Sequence, residues 1–279
     1  MQNPQRFRYG DPSGMPAVRV FLWQRNSAAA FIADKYTGGK YMESDSNRLM
    51  KEAAGRAAVD DLVKSGMKLG LGTGSTAIYA VRRVGELLVQ GVLRDICAFA
   101  TSFQTEIECE KLGIPFYALN SRELSSGLDL TIDGADEVDP QNFVIKGGGG
   151  ALLIEKLAAY ASSLFAVIVD ESKLTERLGQ GFPVPVEVVP EARIQTVRAL
   201  DKLGASANLR EALRKAGPVI TEHGNIILDI RFGSPIDPSI METELNQIPG
   251  VVENGFFTRN PPVVYIARPN GSIETRRKR

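Results

Sequence analysis

The chain holds a single histidine among 279 residues. Histidine is the commonest general base and metal ligand, so multi-histidine metal sites are excluded. Proton transfers in any enzyme of this sequence then fall to carboxylates and lysines. The one histidine, His223, stands in "TEHGN" between two apolar runs, where a turn residue is expected. Cysteine is almost as scarce: Cys97 and Cys109 fit neither a disulfide framework nor a CxxC metal motif. That usage favours a reducing compartment, and the expected location is cytoplasmic. Net charge is missing too, with 33 basic and 33 acidic residues, so no charge argument favours a nucleic acid or a membrane surface. No uncharged apolar run approaches the ~20 residues of a membrane span. With 43% hydrophobic and 24% charged residues, this is the composition of a soluble protein with one large domain or two modest ones.

Residues 1–45 show no sustained periodicity and carry Arg6, Arg8, Arg19 and Arg25. A transit peptide is Arg-rich and acid-poor, but Asp11 comes early and serine is scarce. A disordered extension is expected, or a start codon placed too far upstream of a true start at Met42. From residue 46 to about 180, helical periodicities alternate with short apolar runs. "MKLGLGTGSTAIYAVRRVGELL" passes from strand through glycines into helix, "ICAFATS", "IPFYAL", "LDLTID" and "LFAVIVDESK" read as strands, and "LLIEKLAAYASS" as a helix. This alternation predicts an α/β fold with a mostly parallel sheet.

Near residue 181 the style changes. A proline-bracketed strand "FPVPVEVVP", a helix "EARIQTVRALDKLG", a hairpin "GPVITEHGNIILDIRF", a helix "SIMETELNQIPG" and a strand "VVENGFF" follow in turn. That order resembles a ferredoxin-type split β-α-β unit and predicts a smaller α+β domain over 181–256. "PVVYIA" is expected to return to the first domain as its last strand, so that 46–180 and 257–268 form one Rossmann-like unit. Residues 269–279 are expected to be a solvated basic tail, since no aromatic residue interleaves their charges.

Two glycine loops carry the first functional information. "GLGTGSTA" lies where a strand hands over to a helix, a position whose free backbone N–H groups and helix dipole favour an anion. Thr73, Ser75 and Thr76 add hydroxyl donors. The stretch lacks the third glycine of GxGxxG, a clean acidic partner about 20 residues on, and the lysine of a nucleotide P-loop. It fits a small phosphate, although a serine-capped tight turn has the same pattern. The run Gly147–Gly150 is conformationally costly unless a specific backbone geometry is needed, such as an oxyanion-binding nest.

Between these loops sits "DLTIDGADEVDPQNFVIKGGGGALLIEK". Asp133 and Asp136 end a strand, where open α/β sheets bind ligands. Close carboxylates raise one pKa, Lys146 offers charge for a developing oxyanion, and Glu155 is a third acid or base. A calcium loop counted from Asp133 fails, with Ala135 at position 3 and Val138 at position 6. A magnesium phosphoryl-transfer site lacks its nucleotide cradle. A solvated turn with an N-cap would explain Asp136 or Asp139 alone, but not the ensemble.

"GLGTGSTA", "TSFQTEIECEKLGIP", "IDGADEVD", "IKGGGGALLIEK", "VDESK", "PVPVEVVP" and "GNIILDI…IPGVVENGFF" together resemble ribose-5-phosphate isomerase, type A, in order from Leu49 to Ala267. The resemblance implies a Rossmann-like domain with a smaller α+β domain inserted before its last strand, no cofactor, no metal, and a homodimer or homotetramer. It implies reversible isomerisation of ribose 5-phosphate to ribulose 5-phosphate through an enediol, in the non-oxidative pentose phosphate pathway. The family's phosphate loop falls on Thr73, Gly74, Ser75 and Thr76, its DGAD segment on Asp133, Gly134, Ala135 and Asp136, and its KGGG segment on Lys146, Gly147, Gly148 and Gly149. Its general base falls on Glu155, a substrate-binding lysine on Lys173 and a phosphate-contacting lysine on Lys51. By the same resemblance Asp133 helps open the furanose ring, while Asp136 and Lys146 handle the enediolate oxygens.

The chain departs from the family's usual KGGGAA by placing Gly150 where alanine is common, which is expected to loosen the start of the helix carrying Glu155. A non-catalytic sugar-phosphate sensor on the same fold is the competing reading. Such regulators carry a DNA-binding module for which the first 45 residues look too short and irregular. An isomerase-deaminase or acyl-CoA transferase relative is disfavoured by the paired DGAD and KGGG segments.

Overall fold

The computed structural model describes residues 45–277. The extension expected over residues 1–45 therefore lies, but for Asp45, outside the described residues, as do the last two positions of the chain. Elements alternate from the start: α1 (Asp45–Leu62), β1 (Lys68–Leu71), α2 (Ala77–Val89), β2 (Cys97–Ala100), α3 (Phe103–Leu112) and β3 (Leu128–Asp133). Then come β4 (Glu137–Val138), β5 (Val144–Ile145), α4 (Leu152–Tyr160) and β6 (Ser162–Asp170). The later part runs β7 (Val184–Val188), α5 (Arg193–Lys202), β8 (Ala205–Leu209), β9 (Ile226–Phe232), α6 (Pro238–Asn246), β10 (Val251–Asn254) and β11 (Phe256–Phe257). It ends with β12 (Val263–Ala267) and β13 (Ile273–Arg276).

The main sheet has the order β13-β12-β6-β3-β1-β2 and is parallel except for β13. Its inner strands are apolar on both faces, as in the run from Phe165 to Val169, because helices cover both sides. α2 turns Ala80, Val81, Val84 and Leu87 inward at helical spacing onto one face. α3 is stopped at both ends by its sequence: the Ser102 hydroxyl accepts from Thr105 N–H, and Gly113 takes φ 66°. The chain leaves β1 for β2 on one side and returns to β3 on the other. The carboxyl ends of β1 and β3 therefore flank the point where strand order reverses, the place such sheets use for ligands.

The second sheet, β10-β7-β9-β8, is antiparallel and is built by β7-α5-β8-β9-α6-β10, the ferredoxin-like order. It packs Val184, Val186, Val188, Leu228 and Ile230 into its own apolar core. The fold is thus a Rossmann-like α/β unit with a smaller α+β unit inserted before the last parallel strand. A short sheet, β11-β5-β4, lies beside them.

Four local expectations change. "IPFYAL" makes only one parallel bridge, Phe116 to Ala98, since Pro115 has no N–H to extend a ladder. The expected hairpin about His223 is cut short: Thr221 N–H donates to Asn225 O at 2.8 Å, and Ile220 and Ile226 pair in a single antiparallel bridge. The antiparallel partners of β9 within the sheet are β7 and β8, and the polar sequence "ASANL" of β8 hides a strand. "VVENGFF" is broken at Gly255 into strands of two different sheets. Residues 273–276 of the expected tail form β13, because an edge strand needs only backbone pairing, here with β12, and one apolar contact from Ile273.

Candidate active site

The loop after β1 is the first wall of the site. Gly72 is required there, because a Cβ would sit 2.1 Å from Asp133 Oδ1. Beyond it the chain enters α2 with no side-chain cap at Thr76. Among the described residues, no hydrogen bond takes up the N–H groups of Ser75 and Thr76, which stay free as donors at the positive end of the helix dipole. Lys51, on α1, donates from Nζ to Ser75 Oγ at 2.9 Å and adds positive charge.

The second wall comes from β3, β5 and the glycine run. Asp133 is completely buried; its carboxylate accepts from Thr73 N–H (3.1 Å) and Gly134 N–H (2.7 Å), and lies 2.9 Å from Lys146 Nζ. Lys146, 2% exposed, also donates to the Gly134 carbonyl at 2.7 Å and stands 3.3 Å from Glu155 Oε1. Asp136 accepts from Gly148 N–H at 2.8 Å, which ties the DGAD segment to the glycine run. Gly147 and Gly150 hold φ of 106° and 82°, the left-handed region that glycine occupies without strain. α4 then begins at Leu152 and brings Glu155 over the lysine. From the end of β6, the Asp170 side chain caps a short turn by accepting from Ser172 N–H, which presents Lys173.

One lysine among three carboxylates leaves negative charge in excess, and burial acts on all of it. Burial, reinforced by Asp133 and Asp136, pushes the Glu155 carboxyl up to about 8 against the pull of Lys146. Burial raises Asp133 as well, opposed by Lys146 and the backbone donors of Gly134 and Thr73. Burial works against the Lys146 charge, yet Asp133 and Glu155 more than compensate and hold its ammonium up at about 12. Glu155 Oε2 is buried and accepts no hydrogen bond from the described protein. A carboxyl that titrates near neutrality with a free oxygen, next to a fixed ammonium, is equipped to move a proton and to neutralise an oxyanion.

The two walls enclose a cavity of about 280 Å³ lined by Lys51, Thr73 to Thr76, Gly134 to Asp136, Lys146 to Gly149, Glu155 and Lys173. Every residue expected at the site lines it except Asp133, which stands behind Lys146 with no exposed surface and is not on the wall. Asp133, expected to help open the furanose ring, has its oxygens on the backbone N–H groups of Thr73 and Gly134 and 2.9 Å from Lys146 Nζ. One lining residue was missed, Gln104 on the first turn of α3. Nothing in "TSFQTE" marks it, since only the fold brings that turn to the phosphate loop. The expected loosening by Gly150 is corrected. Gly150 lies outside α4, and its positive φ and the Ile227 Cδ1 atom 3.3 Å from a notional Cβ suit glycine there. Among the described residues, no group of three or more His, Cys, Asp or Glu side chains is arranged to hold a metal ion.

A family model described as ribose 5-phosphate isomerase A (phosphoriboisomerase A) matches residues 97–271. The ribose-5-phosphate isomerase A of Treponema denticola is 51% identical over 232 residues, covering 81% of this chain and 97% of the relative. The chain belongs to the ribose 5-phosphate isomerase A family. That of Treponema pallidum is 53% identical over 226 residues, covering 78% of this chain and 89% of the relative. Among solved structures, ribose 5-phosphate isomerase A from Methanocaldococcus jannaschii superposes with a TM-score of 0.78 at 41% identity, covering 83% of this chain and all of that one. A D-ribose-5-phosphate isomerase in complex with phospho-erythronic acid gives 0.78 at 40% identity, covering 82% and 98%. The two-unit architecture described above is therefore that of ribose 5-phosphate isomerase A. No helix of the described residues is long and apolar enough to cross a membrane.

Proposed function

We propose that this chain interconverts D-ribose 5-phosphate and D-ribulose 5-phosphate, with the sugar phosphate bound in the cavity between the β1 loop and α4. The observation that carries this reading is the buried pair of Lys146 and Glu155, 3.3 Å apart, at one end of a cavity whose other end offers Lys51, Ser75 and Thr76.

The phosphate is held by the Ser75 and Thr76 N–H groups with Lys51, and the sugar chain then extends toward Glu155. Asp136, which lines the cavity with one oxygen anchored on Gly148 N–H, assists opening of the furanose ring. Ionised Glu155 removes the proton from C2 of the open aldehyde, and the electron pair moves onto O1. Lys146 and a glycine N–H stabilise that oxygen. The hydroxyl proton shifts from O2 to O1, Glu155 returns its proton to C1, and the C2 carbonyl of the ketose forms. Asp133 acts through Lys146, holding the ammonium in place. Lys173 and Gly134, Ala135, Gly147, Gly148 and Gly149 complete the sugar-binding surface.

The test is to mix the purified chain, EDTA and ribose 5-phosphate in heavy water and follow the sugar protons by NMR. Ribulose 5-phosphate is expected, with deuterium entering C1. Binding without turnover would sink the reading and leave a sugar-phosphate sensor. We also propose a homodimer or homotetramer, which the family likeness supports; a monomer by sedimentation equilibrium would refute it. The two free thiols, Cys97 and Cys109, support a cytoplasmic location, which cell fractionation checks.

A further inference from the structure

The glycine run is held from behind by a residue that never reaches the cavity. Arg210 follows β8 and grips Asp229 of β9 with both sides of its fork, Nε to Oδ2 at 2.9 Å and Nη2 to Oδ1. Its backbone is fixed as well, N–H to Ile227 O (2.9 Å) and O from Val219 N–H (2.9 Å). The remaining nitrogen, Nη1, donates to two consecutive carbonyls of the run, Gly147 O at 2.8 Å and Gly148 O at 3.1 Å.

Each carbonyl belongs to a peptide plane whose N–H points the opposite way, because all peptide bonds here are trans. The plane joining Gly147 and Gly148 is held at both ends, its carbonyl by Arg210 and its N–H by Asp136. The plane joining Gly148 and Gly149 is held only at its carbonyl. Its N–H belongs to Gly149, which lines the cavity and has no hydrogen-bond partner among the described residues. A cation on the carbonyl of a peptide also polarises the N–H of that peptide and strengthens it as a donor.

We propose that Arg210, locked onto Asp229, is a positioning residue that aims and polarises the Gly149 N–H toward the enediolate oxygen. The proposal rests on the isomerase reading above. It explains why the smaller unit matters to a reaction whose base, lysine and phosphate loop all belong to the larger one. It also accounts for a run of glycines without side chains: the oxyanion donor is backbone, and Arg210 adds an outside hold to the turn bond from Gly150 N–H to Gly147 O (3.0 Å).

The test compares wild type, Arg210→Lys, Arg210→Ala and Asp229→Asn. It measures kcat and KM for ribose 5-phosphate, and inhibition by phospho-erythronic acid and by inorganic phosphate. The first inhibitor has a planar carboxylate that mimics the enediolate oxygens; the second reports the phosphate loop alone. Arg210→Ala is expected to lower kcat about 100-fold, the loss typical of an oxyanion donor, and to weaken phospho-erythronic acid by a similar factor. Inhibition by inorganic phosphate stays within about twofold of wild type, and added guanidinium restores part of the lost kcat. Arg210→Lys loses at least about tenfold, because an ammonium cannot serve the carboxylate fork and two carbonyls together. If Arg210→Ala does not fold, Asp229→Asn, which keeps the guanidinium but loosens its lock, must show the same split in smaller measure. Unchanged kcat and acid affinity overturn the proposal. So does a parallel loss of both inhibitors, which marks a general collapse of the site. An inactive wild type overturns the isomerase reading instead, and the two inhibitors still test the aim of Gly149.

Discussion

α4 carries two adjacent charged residues, Glu155 and Lys156, that enter two buried polar networks of opposite character. Glu155, 5% exposed, meets Lys146 and keeps an oxygen without a partner. Lys156, 3% exposed, pairs with Glu253 at 2.8 Å and Glu242 at 3.4 Å and lies over the Phe257 ring at 4.9 Å. Glu242 in turn accepts from Tyr160 Oη (2.6 Å) and Thr258 N–H (2.9 Å), and Asn254 donates to its backbone carbonyl (2.9 Å). Glu155 and Lys156 themselves are buried alike. What separates their networks is satisfaction: one is closed by hydrogen bonds and ties α4 to α6 and β10, while the other is left with excess carboxylate and a free oxygen. A buried charge becomes reactive when its partners are incomplete, and structural when they are complete.

The largest effect that would sharpen this contrast is Glu155→Gln. It is expected to reduce kcat at least about 1000-fold, with phospho-erythronic acid still bound and thermal stability kept or raised, since an unhappy buried acid is removed. A loss of only a few-fold would show that another group is the base. Lys156→Ala should do the reverse: about 3–5 kcal/mol of stability is lost in denaturant titration because Glu242 and Glu253 lose their shared buried ammonium. A small stability change there would break the comparison. Next in size, Ser75→Ala with Thr76→Ala is expected to raise KM several-fold with little change in kcat, since the backbone N–H groups stay while Lys51 loses its Ser75 Oγ partner and the loop its hydroxyls. An unchanged KM would show that the hydroxyls take no part in holding the phosphate.

The pH dependence separates the two networks without mutation. If Glu155 is the base, as proposed, it acts only when ionised, so kcat/KM should rise with pH and level off above about 8. Folding linkage has the opposite sign. The unfolded carboxyl releases its proton near 4.5, while the folded one holds it to about 8, so this group's contribution to stability is lost as pH rises through that window. Glu155→Gln should flatten that slope, and an identical slope in both proteins would contradict the assignment. The smallest effect concerns Gly150→Ala, expected to cost about 1 kcal/mol because φ is 82° there; unchanged melting would show that the loop relaxes.

Much of this was legible in the residues. Strand–helix alternation was enough for the α/β class, and the change of style near residue 181 announced the α+β unit. The three segments that the fold gathers around one cavity stood out because each breaks a local rule: glycines where a helix begins, a run of glycines before another, and acids ending an apolar strand. β8 was missed because "ASANL" is too polar to announce a strand, and β13 because an edge strand needs almost no apolar signature. Gln104 and Arg210 carry no local mark at all.

The sequence by itself determined the chemistry available: one histidine, an acid–lysine–glycine–acid order, and hydroxyls at a helix start. Tertiary structure alone decided which of those groups meet solvent and which meet each other. It placed Asp133 behind Lys146, left Glu155 with a free oxygen, sent Lys156 into a closed network, and brought Arg210 of the smaller unit onto the carbonyls of Gly147 and Gly148. The physical reason is that propensity and periodicity act within a few residues along the chain. Desolvation and hydrogen-bond satisfaction depend on neighbours 60 or more positions away, as Arg210 and Gly147 are, and exist only once the units have packed.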